Sequence, residues 1–278
     1  MGLSTKRKQA CFLPRDFKPL GKNELIRLGS DNKGGYVVSA DAVTSTRYLL
    51  SLGLGNRCEF ELDFAAMARL KRLHAHDPAL DADELREAGR RSILPFFGDT
   101  PQRRRARAHL KNYRTLFTDR GPDFRHSRDP IGLSEGALPL HEALAALGAE
   151  PRRGFLKCDI GGAEYEMLDA IIEANESLSG LVIAFHDVPA RLREIRVFLM
   201  AMKDFMVLDN IVADNRRGVD PQGLPNVITL SMSTAFPVDP HIPTAGATRR
   251  YKILNEPDDP SLIDFEILYV DDQEKGTR

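Results

Sequence analysis

Cysteine is scarce in this chain, and its three residues, Cys11, Cys58 and Cys158, form an odd set with no CxxC pair. That spacing excludes a disulfide framework and fits reduced thiols in a cytoplasmic setting. Long apolar runs are also missing: no stretch approaches the ~18 residues needed to span a bilayer. The first residues, MGLSTKRKQACFLP, carry charge but no apolar h-region, so they do not read as a secretory signal. MGLST loosely suits a myristoylation pattern, yet from Lys6 onward the chain reads as a disordered leader, spanning residues 1–22 as a whole. Charge of one sign is absent as well. Lys and Arg number 39 against 40 for Asp and Glu, a formal net charge of −1, which calls for no nucleic-acid or membrane partner. Neither an internal repeat nor a domain linker is visible, so residues 23–278 read as a single domain.

What is present is an ordinary globular composition, 42% hydrophobic and 28% charged over 278 residues, with short apolar strands alternating with amphipathic helices. That alternation predicts an α/β fold: a mostly parallel central sheet with helices on both faces. Tyr36-Val37-Val38 reads as a short strand after the Gly34-Gly35 turn, and Tyr48 to Leu54 as the first central strand. A helix carrying Phe60, Phe64 and Met67 comes next, then a strand from Leu73 to His76. Between about 81 and 120 the pattern changes to Arg-rich helical stretches around Ile93-Leu94-Pro95-Phe96-Phe97-Gly98, predicting a helical insertion able to form a cap. Arg103, Arg104, Arg105, Arg107, Lys111 and Arg114 form either a solvated helix face or a guide for an anionic substrate. Further strands are expected at 124–126, 131–133, 154–160, 181–185, 205–212, 227–232 and, peripherally, 265–270. Helices are expected over Leu140 to Leu147, from Tyr165 to Ile172 and from Leu192 to Met202.

Three constellations sit at strand ends, where open α/β sheets bind their ligands. The first is Ser51-Leu52-Gly53-Leu54-Gly55-Asn56, with Asp77 ending the next strand. Glycines let the backbone approach a nucleoside, and an acidic residue about 20 positions on can accept both ribose hydroxyls. The missing third glycine of GxGxxG favours S-adenosylmethionine (SAM) over NAD. The plainer alternative is that Gly53 and Gly55 shape a turn and Asp77 caps a helix. The second constellation is Asp159 at the end of Gly154 to Ile160, placed to meet a methionyl ammonium or an acceptor. The third is His186-Asp187, where an imidazole can take a proton from a hydroxyl or simply bond to backbone.

The segment LKCDIGGAEYEML resembles the K-x-D-[IV]-E-G-A-E-x-x-x-L signature of the FkbM-type methyltransferases. Flanking segments are similar in the same order. Arg27 to Val37 resembles an R-x-G…DGGY opening, SLGLGNRCEFELDFA the glycine loop, and HAHDP the second strand end. IGLSEGALPLHEAL precedes the signature, while IAFHDV, NIVADN and LPNVITLSM resemble the closing strands. The resemblance covers roughly Arg27 to Met232. It implies a class I methyltransferase fold, SAM as cofactor, and transfer of a methyl group to a small-molecule or glycan hydroxyl. Carried over residue by residue, Gly53 and Gly55 form the SAM loop with Glu61 beside it, and Asp77 holds the ribose. Asp159 serves the methionine end or the acceptor, with Glu164 supporting it, and His186 and Asn215 line the acceptor pocket. Four positions depart from the pattern: Lys33 for Asp, Gly161 for Glu, Ala184 for Glu, and Asp214 for the first Asn of a pair.

In such a chemistry the sulfonium is already activated, so alignment of donor and acceptor carries most of the rate, and His186 removes the hydroxyl proton. The same residues allow two rival readings. A SAM-fold protein that binds without turnover would explain the lost acidic positions. A metal-dependent hydrolase would use His74-x-His76-Asp77 and His186-Asp187, although no downstream His cluster completes a site and no metal ligand is assigned. Oligomeric state and acceptor identity have no signal in the sequence.

Overall fold

The computed structural model describes residues 8–20, 23–31, 33–55, 58–91, 100–148, 150–235 and 254–271. Every residue of Tyr48–Leu52 and Gly154–Cys158 is buried, the pattern of strands covered on both faces. In chain order the strands are β1 (Gln9–Pro14), β2 (Leu25–Gly29), β3 (Gly35–Ser39), β4 (Tyr48–Leu52), β5 (Arg72–His76) and β6 (Phe124–Ser127). They continue with β7 (Gly154–Cys158), β8 (Leu178–Phe185), β9 (Met206–Ala213), β10 (Ile228–Thr234) and β11 (Phe265–Val270). The helices are α1 (Ala40–Ser45), α2 (Glu59–Met67), α3 (Ala82–Arg91), α4 (Pro101–Phe117), α5 (Leu140–Leu147), α6 (Leu168–Glu173) and α7 (Val188–Met202).

Seven strands form the central sheet in the order β6-β5-β4-β7-β8-β10-β9. All neighbours are parallel except β10, which runs antiparallel to both β8 and β9. This order, with one reversed strand near an edge, is the class I methyltransferase arrangement of the Rossmann-like fold. The chain winds outward from β4 to β6, then returns to place β7 on the other side of β4. The carboxyl ends of β4 and β7 therefore flank the point where strand order reverses, and a crevice opens there.

Two apolar layers cover the sheet. One gathers Leu140, Ala143, Leu144 and Leu147 of α5 with Ile195, Phe198 and Met202 of α7. The other gathers Phe60 and Phe64 of α2, Tyr113 and Leu116 of α4, and the β2–β3 hairpin. The 3.6-residue spacing of these positions explains why the sequence pattern reads as helix. α5 stops at Gly148, whose φ of 68° supplies the left-handed C-cap. Among the described residues no helix is long and apolar enough to cross a membrane.

Several expectations are corrected. The segment expected as a flexible leader contains β1, which pairs in parallel with β11, and Cys11, Leu13 and Phe17 are fully buried. Its residues need a partner near the other end of the chain to form this strand, so local sequence cannot announce it. Residues 1–7 lie outside the described residues. The segment expected as a helical insertion, with a cap or outside packing left open, forms α3 and α4, and α4 packs on the sheet as the crossover between β5 and β6. Its apolar turn, Ile93 to Gly98, lies outside the described residues. His109, Tyr113 and Leu116 mark the buried face of α4. Arg104, Arg107, Lys111 and Arg114 fall about half a helical turn away from it, on the solvent side. The strand expected at 131–133 reduces to a bridge between Ile131 and Leu138. The helix expected after Gly162 begins as a 3-10 turn, Ala163–Met167, before α6.

Because Leu13 has no exposed surface, truncating it empties a filled site in the larger core layer. Leu13→Ala should lower unfolding free energy by about 2–5 kcal/mol in urea titration. A change within experimental error would mean that β1 is dispensable.

Candidate functional site

The crevice at the carboxyl ends of β4 and β7 holds a cavity of about 550 Å³, within the range of small-molecule sites. Gly53, Gly55, Glu61, Asp77 and Asp159, all expected at a cofactor site, line it together. Gly53 has φ 79°, and a Cβ there would lie 2.0 Å from the Asp159 carbonyl oxygen. Only glycine lets the β4 loop pass so close to the end of β7. Gly55, at φ 60° with open space around it, is needed for its backbone conformation alone.

Beneath this loop lies a buried charge cluster. Ser51 and Lys157 are register partners on β4 and β7. Ser51 Oγ donates to Glu61 Oε1 at 2.5 Å, and Lys157 Nζ donates to the same oxygen at 2.9 Å. Lys157 also donates to the Gly53 carbonyl, and its ammonium sits 5.4 Å from the Tyr36 ring centroid and 5.8 Å from that of Phe60. Burial alone would lower the Lys157 pKa, but the charge and hydrogen bond of Glu61, with Asp159 nearby, hold it above its ordinary value. Glu61 Oε2, although buried, has no hydrogen-bond partner among the described residues. A buried carboxylate oxygen is costly in that condition, and a donor entering the cavity would relieve it.

Asp77 lines the cavity and is already engaged. Its Oδ2 accepts from the backbone N–H groups of Leu54 at 2.9 Å and Gly55 at 3.2 Å, and its Oδ1 from Ala79 at 2.9 Å. The carboxylate thus pins the glycine loop to the end of β5, which a purely ribose-binding role did not anticipate. Oδ1 keeps capacity for one more donor.

Asp159 links the cavity to a second cluster. Its Oδ2 accepts from Tyr36 Oη at 2.7 Å, while its Oδ1 lies 4.0 Å from His186 Nε2. Glu164, fully buried, accepts from the His186 backbone N–H at 2.7 Å and meets Nδ1 at 3.1 Å. Its other oxygen accepts from Gly162 N–H at 2.7 Å, and Tyr165 Oη donates to the His186 carbonyl at 2.5 Å. The imidazole is thereby held between two carboxylates. The Glu164 hydrogen bond raises the His186 pKa above its ordinary value; burial opposes that, and the charges of Glu164 and Asp159 add to it. Gly161 and Gly162, at φ 68° and 116°, make the turn that carries Glu164 inward.

His186 and Glu164 stand behind Asp159 rather than on the cavity wall. Asn215 is further removed: its Nδ2 donates to the carbonyls of Asp259 (2.8 Å) and Ile263 (3.3 Å), and its Oδ1 accepts from Asp259 N–H at 3.0 Å. It clamps the C-terminal segment. Its neighbour Asp214 is paired with Arg216 at 2.6 Å. The metal reading finds no support in donor geometry. No group of three or more His, Cys, Asp or Glu suited to a metal occurs among the described residues. Arg125 Nη2 lies 3.3 Å from His74 Nδ1, and burial with that neighbouring charge lowers the His74 pKa to about 4. Cys58 and Cys158 are buried thiols pushed upward, mainly by burial, and so are not poised as nucleophiles.

Tyr36, Ser51 and Lys157 were not anticipated. The signal for two of them is present: a serine and a lysine interrupt the apolar runs YLLSL and GFLKC. Polar residues inside doubly covered strands need partners.

No family model matches the sequence, and no curated protein is detectably similar. Solved structures with related chain paths include an rRNA methylase from Streptococcus thermophilus, at 12% identity and TM-score 0.37, covering 70% of this chain and 90% of that one. Precorrin-6y C5,15-methyltransferase from Geobacter metallireducens aligns at 12% identity and TM-score 0.34, covering 69% and 86%. M. jannaschii TYW2 in complex with AdoMet aligns at 10% identity and TM-score 0.31, covering 77% and 88%. At these TM-scores the likenesses carry no inference about ligand or acceptor, and the fold rests on the strand order itself.

The buried pair gives a direct stability test. Lys157→Met leaves Glu61 charged and buried without its cation, and should cost about 3–5 kcal/mol by denaturant unfolding. Adding Glu61→Leu to that variant should recover part of the loss. A single variant as stable as wild type would show that the pair does not anchor the loop.

Proposed function

We propose that this chain is a SAM-dependent methyltransferase, similar to the FkbM type, that methylates a hydroxyl of a small molecule or glycan. The observation that carries this reading is the glycine-loop cavity at the point where strand order reverses, lined by Glu61, Asp77 and Asp159. The lining suits a ligand with a cationic end. Glu61 Oε2 is a buried acceptor in need of a donor, as the amino group of a methionyl moiety is. Gly53 and Gly55 admit backbone-close contact with a nucleoside, and the remaining capacity of Asp77 Oδ1 suits one ribose hydroxyl. When bound, SAM supplies a methyl group on an already activated sulfonium.

The chain's own residues then hold the acceptor and manage its proton. With Nδ1–H directed at Glu164, His186 presents an Nε2 lone pair towards Asp159, where a hydroxyl can donate. A nucleic-acid acceptor is not part of this reading, since the net charge is −1. A non-catalytic SAM-binding protein is the second reading, favoured by the absence of His186 from the cavity wall.

Isothermal titration with SAM, S-adenosylhomocysteine (SAH) and NAD tests the first claim. Micromolar affinity for SAM or SAH with none for NAD is expected; no binding of SAM or SAH by folded protein would refute the assignment. With an accepted substrate, the rate should rise with pH through a midpoint above the ordinary histidine value of about 6.5. The sign is set by two facts: the base must be neutral, and Glu164 and Asp159 favour its protonated form. Glu164→Gln should move that midpoint down. A pH-independent rate would remove His186 from the mechanism.

A further inference from the structure

We propose that Tyr36 is a positioning residue: its hydroxyl fixes one oxygen of Asp159 and so holds the other just beyond bonding distance of the His186 imidazole. The catalytic meaning of this contact rests on the methyltransferase reading, but the contact itself does not. Asp159 is about one-third exposed at its side chain, 33%, and has room to rotate. Among the described residues, Tyr36 is the side chain that donates a hydrogen bond to its carboxylate, at 2.7 Å. The opposite oxygen stands 4.0 Å from His186 Nε2, beyond hydrogen-bond length. A rotation of Asp159 in one direction would close that gap into an ion pair and occupy the imidazole nitrogen. A rotation in the other direction would withdraw the carboxylate from the histidine. Tyr36 holds the carboxylate between these outcomes, leaving both Oδ1 and Nε2 open to an incoming hydroxyl.

Tyr36 is itself firmly held. It is 8% exposed, its ring meets Phe60 edge-on with centroids 5.2 Å apart and planes at 80°, and the Lys157 ammonium lies 5.4 Å from its ring centroid. It arrives on β3, outside the central sheet, through the Gly34-Gly35 turn. A Cβ at Gly35 would lie 2.1 Å from Ser30 O and 2.4 Å from the Arg27 guanidinium, so a larger residue would push the hairpin away. Burial and the neighbouring Asp159 raise the Tyr36 pKa well above its ordinary value. The phenol therefore stays protonated and acts as a donor, not as a competing base. The charged groups acting on His186 are Glu164, Asp159 and Arg217. Around Tyr36 and Asp159 they are Glu61, Asp258, Lys157 and Arg216.

The experiment is an NMR pH titration of the His186 ring in full-length protein, without cofactor, for wild type, Tyr36→Phe, Asp159→Asn and the double variant. Tyr36→Phe keeps the ring packing and deletes only the hydroxyl. Freed Asp159, drawn by the protonated ring, should close on the imidazole and raise the His186 midpoint by about one pH unit, the size of a close opposite-charge effect; a lowered midpoint would overturn the proposal. Asp159→Asn should lower it, and the double variant should match Asp159→Asn, because Tyr36 acts only through that carboxylate. If Tyr36→Phe leaves the midpoint unmoved while Asp159→Asn shifts it, or if the two effects add independently, the proposal falls. Should Tyr36→Phe fail to fold, 3-fluorotyrosine at position 36 keeps the packing with a stronger donor and should lower the midpoint; an unmoved midpoint would again refute the idea. Because no SAM or SAH is present, this outcome is independent of the titration that tests the cofactor.

Discussion

The contact between the β4 loop and the end of β7 is the constraint on which the site depends. Gly53 passes over the Asp159 carbonyl too closely for any side chain, and Lys157 reaches up from β7 to hold the Gly53 carbonyl from below. Asp77, from the third strand involved, ties the N–H groups of Leu54 and Gly55. One loop is thus held by a cation on one side and an anion on the other. Its shape exists before any ligand arrives, which is what a binding loop requires if ordering costs are not to be met from binding energy.

Burying Lys157 and Glu61 is expensive, since each ion loses its water, and well-packed apolar residues in their place would often be as stable. Their retention in this core is understandable if the charge serves the loop and the cavity. Ser51 and Lys157 both bond Glu61 Oε1 and leave Oε2 without a partner among the described residues, so the structure carries an unmet hydrogen-bonding demand at the cavity Glu61 lines. Such a demand weakens the protein alone and strengthens it with a donor in place.

The second cluster obeys a different logic. Glu164 is spent on fixing His186 through both its backbone and its ring, and Tyr36 on Asp159. The result is an imidazole of raised pKa beside a carboxylate that neither pairs with it nor leaves it. Gly161 and Ala184, which stand where the signature that the sequence resembles has glutamates, fall on a left-handed turn and on a buried strand. A carboxylate on β8 at that position would need its own partner there.

The alternating apolar runs and helical periodicities by themselves determined the α/β class and most of the central strands, because burial on both faces writes itself into consecutive residues. The strand-end positions of Gly53, Gly55, Asp77, Asp159 and His186 were legible for the same reason, since parallel sheets put their ligand residues where strands stop. Only the tertiary structure decided what those side chains do. It engaged Asp77 with its own loop, sent Asn215 to the C-terminal segment, and brought Tyr36 to Asp159 across 123 residues of chain. It also paired β1 with β11 and made α4 a crossover helix. These outcomes turn on side-chain hydrogen bonds and pairings between distant segments. Their free energies depend on geometry at ångström scale, and no local period in the sequence records it.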